Sequence, residues 1–269
     1  MPREQGAVFD EVARTYDRAR PAYPPEVFEE VLGFAALAPG ERLLEIGAGT
    51  GKATRGFAGR GFPILCIEPG AQLAAVLKEH CGGHDVTVAA TPFEAWPVET
   101  AAFGLVFAAQ SFHWVDPEQG FDRCAQALRP GGTLALFGNR PRRGEAPVHR
   151  AVEACYAGCP LQPDVLRSYS RNPYPEQIAA QGGFGPVVQS SHPFQVDYDA
   201  TGYCELLETQ SDHRMLDPAV RADLFARVAD AIRAHGGTVS VDFSTDLLLV
   251  RRNDRAALDS SGVPREAQK

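Results

Sequence analysis

Three groups of residues in the first half of the chain have types and spacings that could do chemistry. One is an acid followed by alternating glycines, "EIGAGTG" from Glu45 to Gly51. The second is Glu68 in "ILCIEPG", and the third is "AAQSFHWVD", Ala108 to Asp116. Gly47 and Gly49 let a backbone pass against a ligand with no side chain between them. Glu45, at the end of an apolar run, can accept hydrogen bonds from an ammonium group. Glu68 falls 21 residues after Gly47, at the end of the next apolar run. A carboxylate there can take both hydroxyls of a ribose. In the third group, His113 is the titratable side chain that could act as a general base near neutral pH; the same ring could equally orient or pack beside Trp114.

Two other nucleotide loops fail on this stretch. A phosphate-cradling loop, GxxxxGK followed by Ser or Thr, aligned on Gly51-Lys52, has Ile46 at its first glycine and Ala53 at its last position. It lacks both the opening turn and the magnesium-binding hydroxyl. A dinucleotide loop, GxGxxG, has Lys52 at its third glycine, which spoils close packing of helix on strand. What remains is a ligand with a ribose and an amino-acid end and no demand for pyrophosphate. S-adenosylmethionine (SAM) meets that description.

Positioning these groups requires strands that end at one edge. Short apolar strands are expected at 42–46, 63–67, 86–89, 104–108 and 133–137, alternating with helices at 53–60, 71–80 and 121–128. That rhythm means a parallel sheet covered on both faces, an α/β fold. Before it, residues 9–37 read as helical with a break at "PAYPP". Beyond Gly138 the text turns rich in Pro, Gly and Arg, and 139–186 reads as an insertion with a helix at 147–156. A strand at 187–196, a helix at 219–234 and a strand at 238–250 close the series, and 253–269 reads as a frayed tail.

The bulk numbers exclude several classes. The 269 residues are 44% apolar and carry a net charge of −8, which does not suit a nucleic-acid partner. No apolar run approaches the ~18–20 residues of a membrane span, so a soluble, cytoplasmic protein, monomer or homodimer, is expected. Six scattered cysteines show no CxxC, and no histidine pair joins Cys155 and Cys159; no metal site is expected.

On these motifs the chain resembles the class I SAM-dependent methyltransferases. "LLEIGAGTGKAT" is similar to the family's first motif, "CIEPG" to its second and "ALRPGGTLAL" to its fifth-strand signature. "AAQSFHWVD", the N-terminal Tyr16-Asp17, Arg20-Pro21 and Tyr23-Pro24, and "LLETQSDHRML" resemble the small-molecule subgroup akin to trans-aconitate methyltransferases. The resemblance covers nearly the whole chain, to about Arg252. It implies one Rossmann-like domain over 1–252 with a seven-stranded, mostly parallel sheet whose last strand is antiparallel. It also implies SAM across the carboxyl ends of strands one to four, leaving as S-adenosylhomocysteine. Cofactor contacts are then expected from Glu45, Gly47, Ala48, Gly49, Gly51, Glu68, Pro69, Gln110 and Ser111. The adenine falls to backbone groups around Thr91 and to Phe93, because Pro92 has no N–H to give; Glu94 reads as structural. Residues 9–37, with Tyr16, Arg20 and Tyr23, form a lid. Trp114 is a pocket wall, His213 lies over the substrate pocket, and His113 is the candidate catalytic residue. The activity implied is in-line methyl transfer to a carboxylate, hydroxyl, amine or carbon of a small molecule. The alternative is a SAM-binding partner subunit without catalysis.

Overall fold

The structure, a computed structural model, describes residues 9–116, 119–142, 144–161 and 173–253. Its centre is a seven-stranded sheet: β1 Leu43–Ile46, β2 Ile64–Ile67, β3 Val86–Ala89, β4 Phe103–Ala109, β5 Leu128–Pro141, β6 Val188–Asp199 and β7 Thr238–Arg251. The strand order is β3-β2-β1-β4-β5-β7-β6. Strands β1 to β5 are parallel to one another, and β7 runs antiparallel to both β5 and β6. β1 and β2 are buried at every position, which is why their sequences are unbroken apolar runs apart from Glu45. The order reverses direction at β1, so the ends of β2, β1 and β4 together frame the crevice where open α/β sheets bind ligands.

Ten helices surround the sheet among the described residues: α1 Ala13–Ala19, α2 Pro25–Ala35, α3 Thr54–Phe57, α4 Ala71–Cys81, α5 Gly120–Ala127, α6 Pro147–Ala154, α7 Tyr174–Gln181, α8 Ala200–Glu208, α9 Ser211–Arg214 and α10 Pro218–Ala234. On one sheet face Leu44, Ile46, Val106 and Leu134 pack against Phe121 and Cys124 of α5 and Ile178 of α7. On the other, Leu43, Cys66 and Phe107 meet Phe28 of α2, Phe57 of α3 and Leu77 of α4. A third core joins α6, α8 and α10 to the outer ends of β6 and β7 through Val152, Leu206, Leu224, Val228 and Phe243.

Several elements depart from the sequence expectation for physical reasons. The helix expected over 53–60 is a single turn, because Gly59 and Gly61 take φ of 78° and 87° and break it. β5 starts five residues earlier than expected, with Leu128 paired to Phe103 of β4, and runs to Pro141, carried there by its pairing with β7 from Thr133↔Arg251 to Pro141↔Phe243. The expected insertion therefore begins inside a strand; its residues 143 and 162–172, and the tail from 254, lie outside the described residues. α8 was not expected from periodicity, yet Asp199 marks its start, accepting a hydrogen bond from Gly202 N at 2.7 Å. No helix among the described residues is long and apolar enough to cross a membrane.

Candidate functional site

The glycine loop leaves β1 at Ile46 and is tied to β2 by Gly47 N and Ala48 N, both donating to Ile67 O at 2.8 and 3.2 Å. Gly47 and Gly49 take left-handed φ of 65° and 57°, but they are bare for different reasons. A Cβ on Gly47 would lie 2.5 Å from the Ser111 Cβ, so this glycine admits the turn after β4, whose Ser111 Oγ donates to Ile46 O. A Cβ on Gly49 would meet nothing within 4 Å. Gly49 therefore keeps open space over the loop, and that is where a ligand backbone fits.

Glu68 closes the other side. It is 5% exposed, and its two carboxylate oxygens accept from Gly49 N and Gly70 N, each at 2.7 Å. Burial raises its pKa against those two donors. Each oxygen keeps a further lone pair, so hydroxyls of a ribose can be added to this arrangement. Glu45 is buried more deeply, at 1% exposure. Its Oε2 accepts from Thr54 Oγ1 at 2.5 Å and from Cys66 Sγ at 3.7 Å, and burial raises its pKa to about 8. An ammonium partner for Glu45 therefore requires that it first give up a proton. Open space at Gly49 beside a buried carboxylate fits an adenosyl amino acid. Ala48 is buried and Pro69 exposed beside it.

At the loop expected to meet the adenine, Phe93 is 4% exposed and stacks on Trp96 with centroids 6.2 Å apart, while the Arg123 guanidinium lies 5.3 Å from its ring and donates to Phe93 O at 2.8 Å. That ring is packed into the core beside Trp96 and Arg123. Thr91 remains half-buried at the loop. Glu94 accepts from Asp116 N at 3.1 Å and pins the turn after β4.

The N-terminal segment crosses from one strand end to another. Asp10 Oδ1 accepts from Gln72 N and Leu73 N at 2.8 and 2.9 Å, capping α4 from 62 residues away. Phe9 meets Tyr16 and Trp114 at 5.9 and 6.0 Å between centroids. Residues 9 and 10 thus join the β2 end to the β4 end, over the β1 loop between them. Asp17 pairs with Arg55 at 3.1 Å and His80 at 2.8 Å, and Lys52 donates to Asp17 O at 2.6 Å. From the opposite side Arg18 grips Glu205, and Arg20 donates to Thr209 Oγ1 and Thr209 O, both at 2.8 Å.

Beyond β4 lies a partly enclosed cavity of about 110 Å³, walled by Val152, Leu206, Val241 and Phe243 and reached at Arg20, Gln110 and His213. Gln110 takes a left-handed φ of 55°, a strained conformation for a non-glycine residue. It is held there by Gln110 N donating to Phe137 O at 2.8 Å, Nε2 donating to Asn139 O at 3.0 Å and the Tyr23 hydroxyl donating to Oε1 at 3.3 Å. Gly138 makes room, since a Cβ there would lie 2.7 Å from Gln110 Cγ.

Of the residues read from sequence as substrate-facing, Arg20 and His213 line this cavity and Tyr23 supports it from behind. Tyr16, Trp114 and His113 do not line it. His113 is exposed, with its ring 4.6 Å from that of Trp114. Desolvation lowers its pKa to about 4; solvent at the ring limits the size of that shift and not its direction, and so weak a base takes up few protons near neutral pH. The residue that sequence reasoning missed is Tyr156, whose hydroxyl lies 2.8 Å from His213 Nε2, 57 residues away in sequence. No local signal marks such a pair.

Residues 44–136 match the model of the methyltransferase domain family. An uncharacterized methyltransferase of Mycobacterium tuberculosis is 35% identical over 137 residues, 51% of this chain and 54% of that protein. A demethylmenaquinone methyltransferase of Clavibacter sepedonicus is 29% identical over 147 residues, 50% of this chain and 58% of that protein. The chain thus spans about half the length of the curated relatives it matches. Among solved structures, a putative type II methyltransferase from Anaeromyxobacter dehalogenans superposes with a TM-score of 0.60 at 22% identity, covering 87% of this chain and 97% of that one. The Haemonchus contortus phosphoethanolamine N-methyltransferase 2, bound to phosphomonomethylethanolamine and S-adenosylhomocysteine, gives 0.55 at 16% identity, covering 91% of this chain and 58% of that one. These likenesses show the fold.

Proposed function

We propose that this chain, whose residues 44–136 match the methyltransferase domain family, transfers the methyl group of SAM to a small, largely apolar acceptor. The observation that carries this reading is the cavity itself: mostly apolar walls, with Gln110 at the β4 end, next in sequence to Ser111, which packs on the glycine loop. Gly49 gives the methionyl part its space, and Glu68 takes the ribose hydroxyls. Bound SAM supplies a methyl already activated on a sulfonium. The chain's own residues hold the acceptor in line and keep water out, which can supply several of the ~7–11 kcal/mol that orientation offers.

Arg20 and Arg142 line the cavity together with Glu153 and Asp212, and Arg20 spends two nitrogens on Thr209. Opposite charges in equal number favour a neutral acceptor over a free carboxylate. His113 serves to hold Trp114 under the N-terminal segment. Calorimetry with SAM, S-adenosylhomocysteine and NADH, followed by a labelled-methyl screen of small molecules, tests the reading. SAM binding with label passed to an apolar acceptor supports it; NADH binding without SAM binding ends it, and SAM binding with no acceptor at all points to a partner subunit.

A further inference from the structure

We propose that Tyr156, His213 and Asp212 form a proton relay in this cavity, and that the acceptor is an apolar molecule presenting a hydroxyl of phenolic or enolic acidity. The proposal rests on the methyltransferase reading and adds the chemistry of its acceptor.

The hydrogen bonds fix the direction of the relay. Asp212 Oδ1 accepts from His213 N and lies 2.8 Å from His213 Nδ1 as well. A carboxylate only accepts, so Nδ1 carries the ring proton and Nε2 presents its lone pair. The Tyr156 hydroxyl, 2.8 Å away, then donates to Nε2. His213 is 5% exposed, and an edge contact with Tyr156 and a tilted one with Phe225 hold its ring. Burial alone would raise the Asp212 pKa, but the hydrogen bonds that His213 donates hold it below the ordinary value, so it stays ionised. Burial raises the Tyr156 phenol, so that group hands a proton on and does not keep the charge. All three residues line the cavity. The other charged or titratable groups around it are His149 and Glu153 on α6, Tyr203 on α8, Arg20 after α1 and Arg142 after β5.

The balance of the step follows. The acceptor's O–H proton passes to Tyr156 Oη as the Tyr156 proton passes to His213 Nε2, leaving an imidazolium against Asp212. The freed oxygen pair forms the new O–CH3 bond while the methyl–sulfur bond breaks with its pair on sulfur. Tyr156 touches the acceptor and is the catalytic residue; His213 and Asp212 position and receive. A carboxylate acceptor would need no base and would face Asp212 and Glu153. An aliphatic alcohol is far too weak an acid to be matched to an imidazole, and a phenol or enol is much closer.

The test uses 4-nitrophenol, whose ionisation is read by absorbance, with the full-length protein and its Tyr156→Phe and His213→Gln variants. The wild type is expected to bind the probe with its apparent pKa lowered, and both variants are expected to lose that lowering while retaining SAM affinity by calorimetry. In a labelled-methyl assay on simple phenols and naphthols, each variant is expected to lose ~100-fold in kcat, and the double variant no more than either single one. Equal probe ionisation in all three proteins, or no probe binding at all, overturns the relay. So does methylation of carboxylic acids that both variants perform as well as the wild type, an outcome that leaves the methyltransferase reading standing. Failure of the wild type to bind SAM removes that underlying reading instead. Should His213→Gln not fold, Tyr156→Phe, which keeps the ring in place, carries the test.

Discussion

Glu45 sits 1% exposed at the end of β1 with its pKa raised to about 8, so near neutral pH it is mainly the neutral acid. When SAM brings its ammonium group to this loop, the charge favours the carboxylate and a proton is expelled. Calorimetry in buffers of different ionisation enthalpy is expected to detect release of up to about one proton per SAM at pH 7, and Glu45→Gln to abolish it; buffer-independent heats would take Glu45 out of the ligand's reach. The two glycines of the loop separate in the same way. Gly47→Ala places a Cβ 2.5 Å from Ser111 and is expected to cost ~1–3 kcal/mol of folding stability. Gly49→Val, in open space, is expected to cost less stability and to abolish SAM binding; equal effects of the two on melting and on binding would refute the distinction. Gly49 and Glu68 stood out in the sequence as candidates because residue type and spacing single them out. The ring direction of Phe93 was not legible, because it is set by Trp96 and Arg123, and the Tyr156–His213 pair was not, because only folding brings it together.

At the scale of elements, the N-terminal segment matters through what it caps. α4 opens at Gly70 without a side-chain cap of its own, and Asp10 supplies one by accepting from Gln72 N and Leu73 N. Asp10→Ala is therefore expected to lower stability by ~0.5–2 kcal/mol and to speed hydrogen exchange at residues 71–74. Unchanged exchange there would show that the helix start does not depend on the strap. β1, β2 and β4 were readable because buried parallel strands are short, largely apolar runs, while β3 is the partly exposed strand at the sheet edge. The lengths of β5 and β6 were not, because they are set by pairing with β7, more than a hundred residues from β5. α8 carries apolar residues at helical spacing, Ala200, Tyr203 and Leu207, and Asp199 at its start was a second usable signal.

Across the whole molecule, buried acids pull stability in opposite directions with pH. Asp17 and Glu41 have lowered pKa values: burial works against the lowering at Asp17 but Thr50, Lys52, Arg55 and His80 overcome it, and Arg129 dominates at Glu41. They stabilise the fold above the ordinary carboxylate range and lose that contribution as acid protonates them. Glu45 does the reverse. Its unfolded form ionises near 4.5 and its folded form near 8, so the native state holds the extra proton in between and stability falls as pH rises through that window. Melting temperatures of Glu45→Gln are expected to decline less than those of the wild type between about pH 5 and pH 8; parallel curves would contradict the assignment. The strap over residues 9–20 adds something of another kind. It is moored to α4 through Arg14–Glu79 and to α8 through Arg18–Glu205, both water-facing pairs, and it passes over the loop after β1. On the proposed reading, release of the spent cofactor past this strap is the step expected to set the pace of turnover. Raising ionic strength loosens exposed moorings, so kcat is expected to climb with added salt while single-turnover rates stay level.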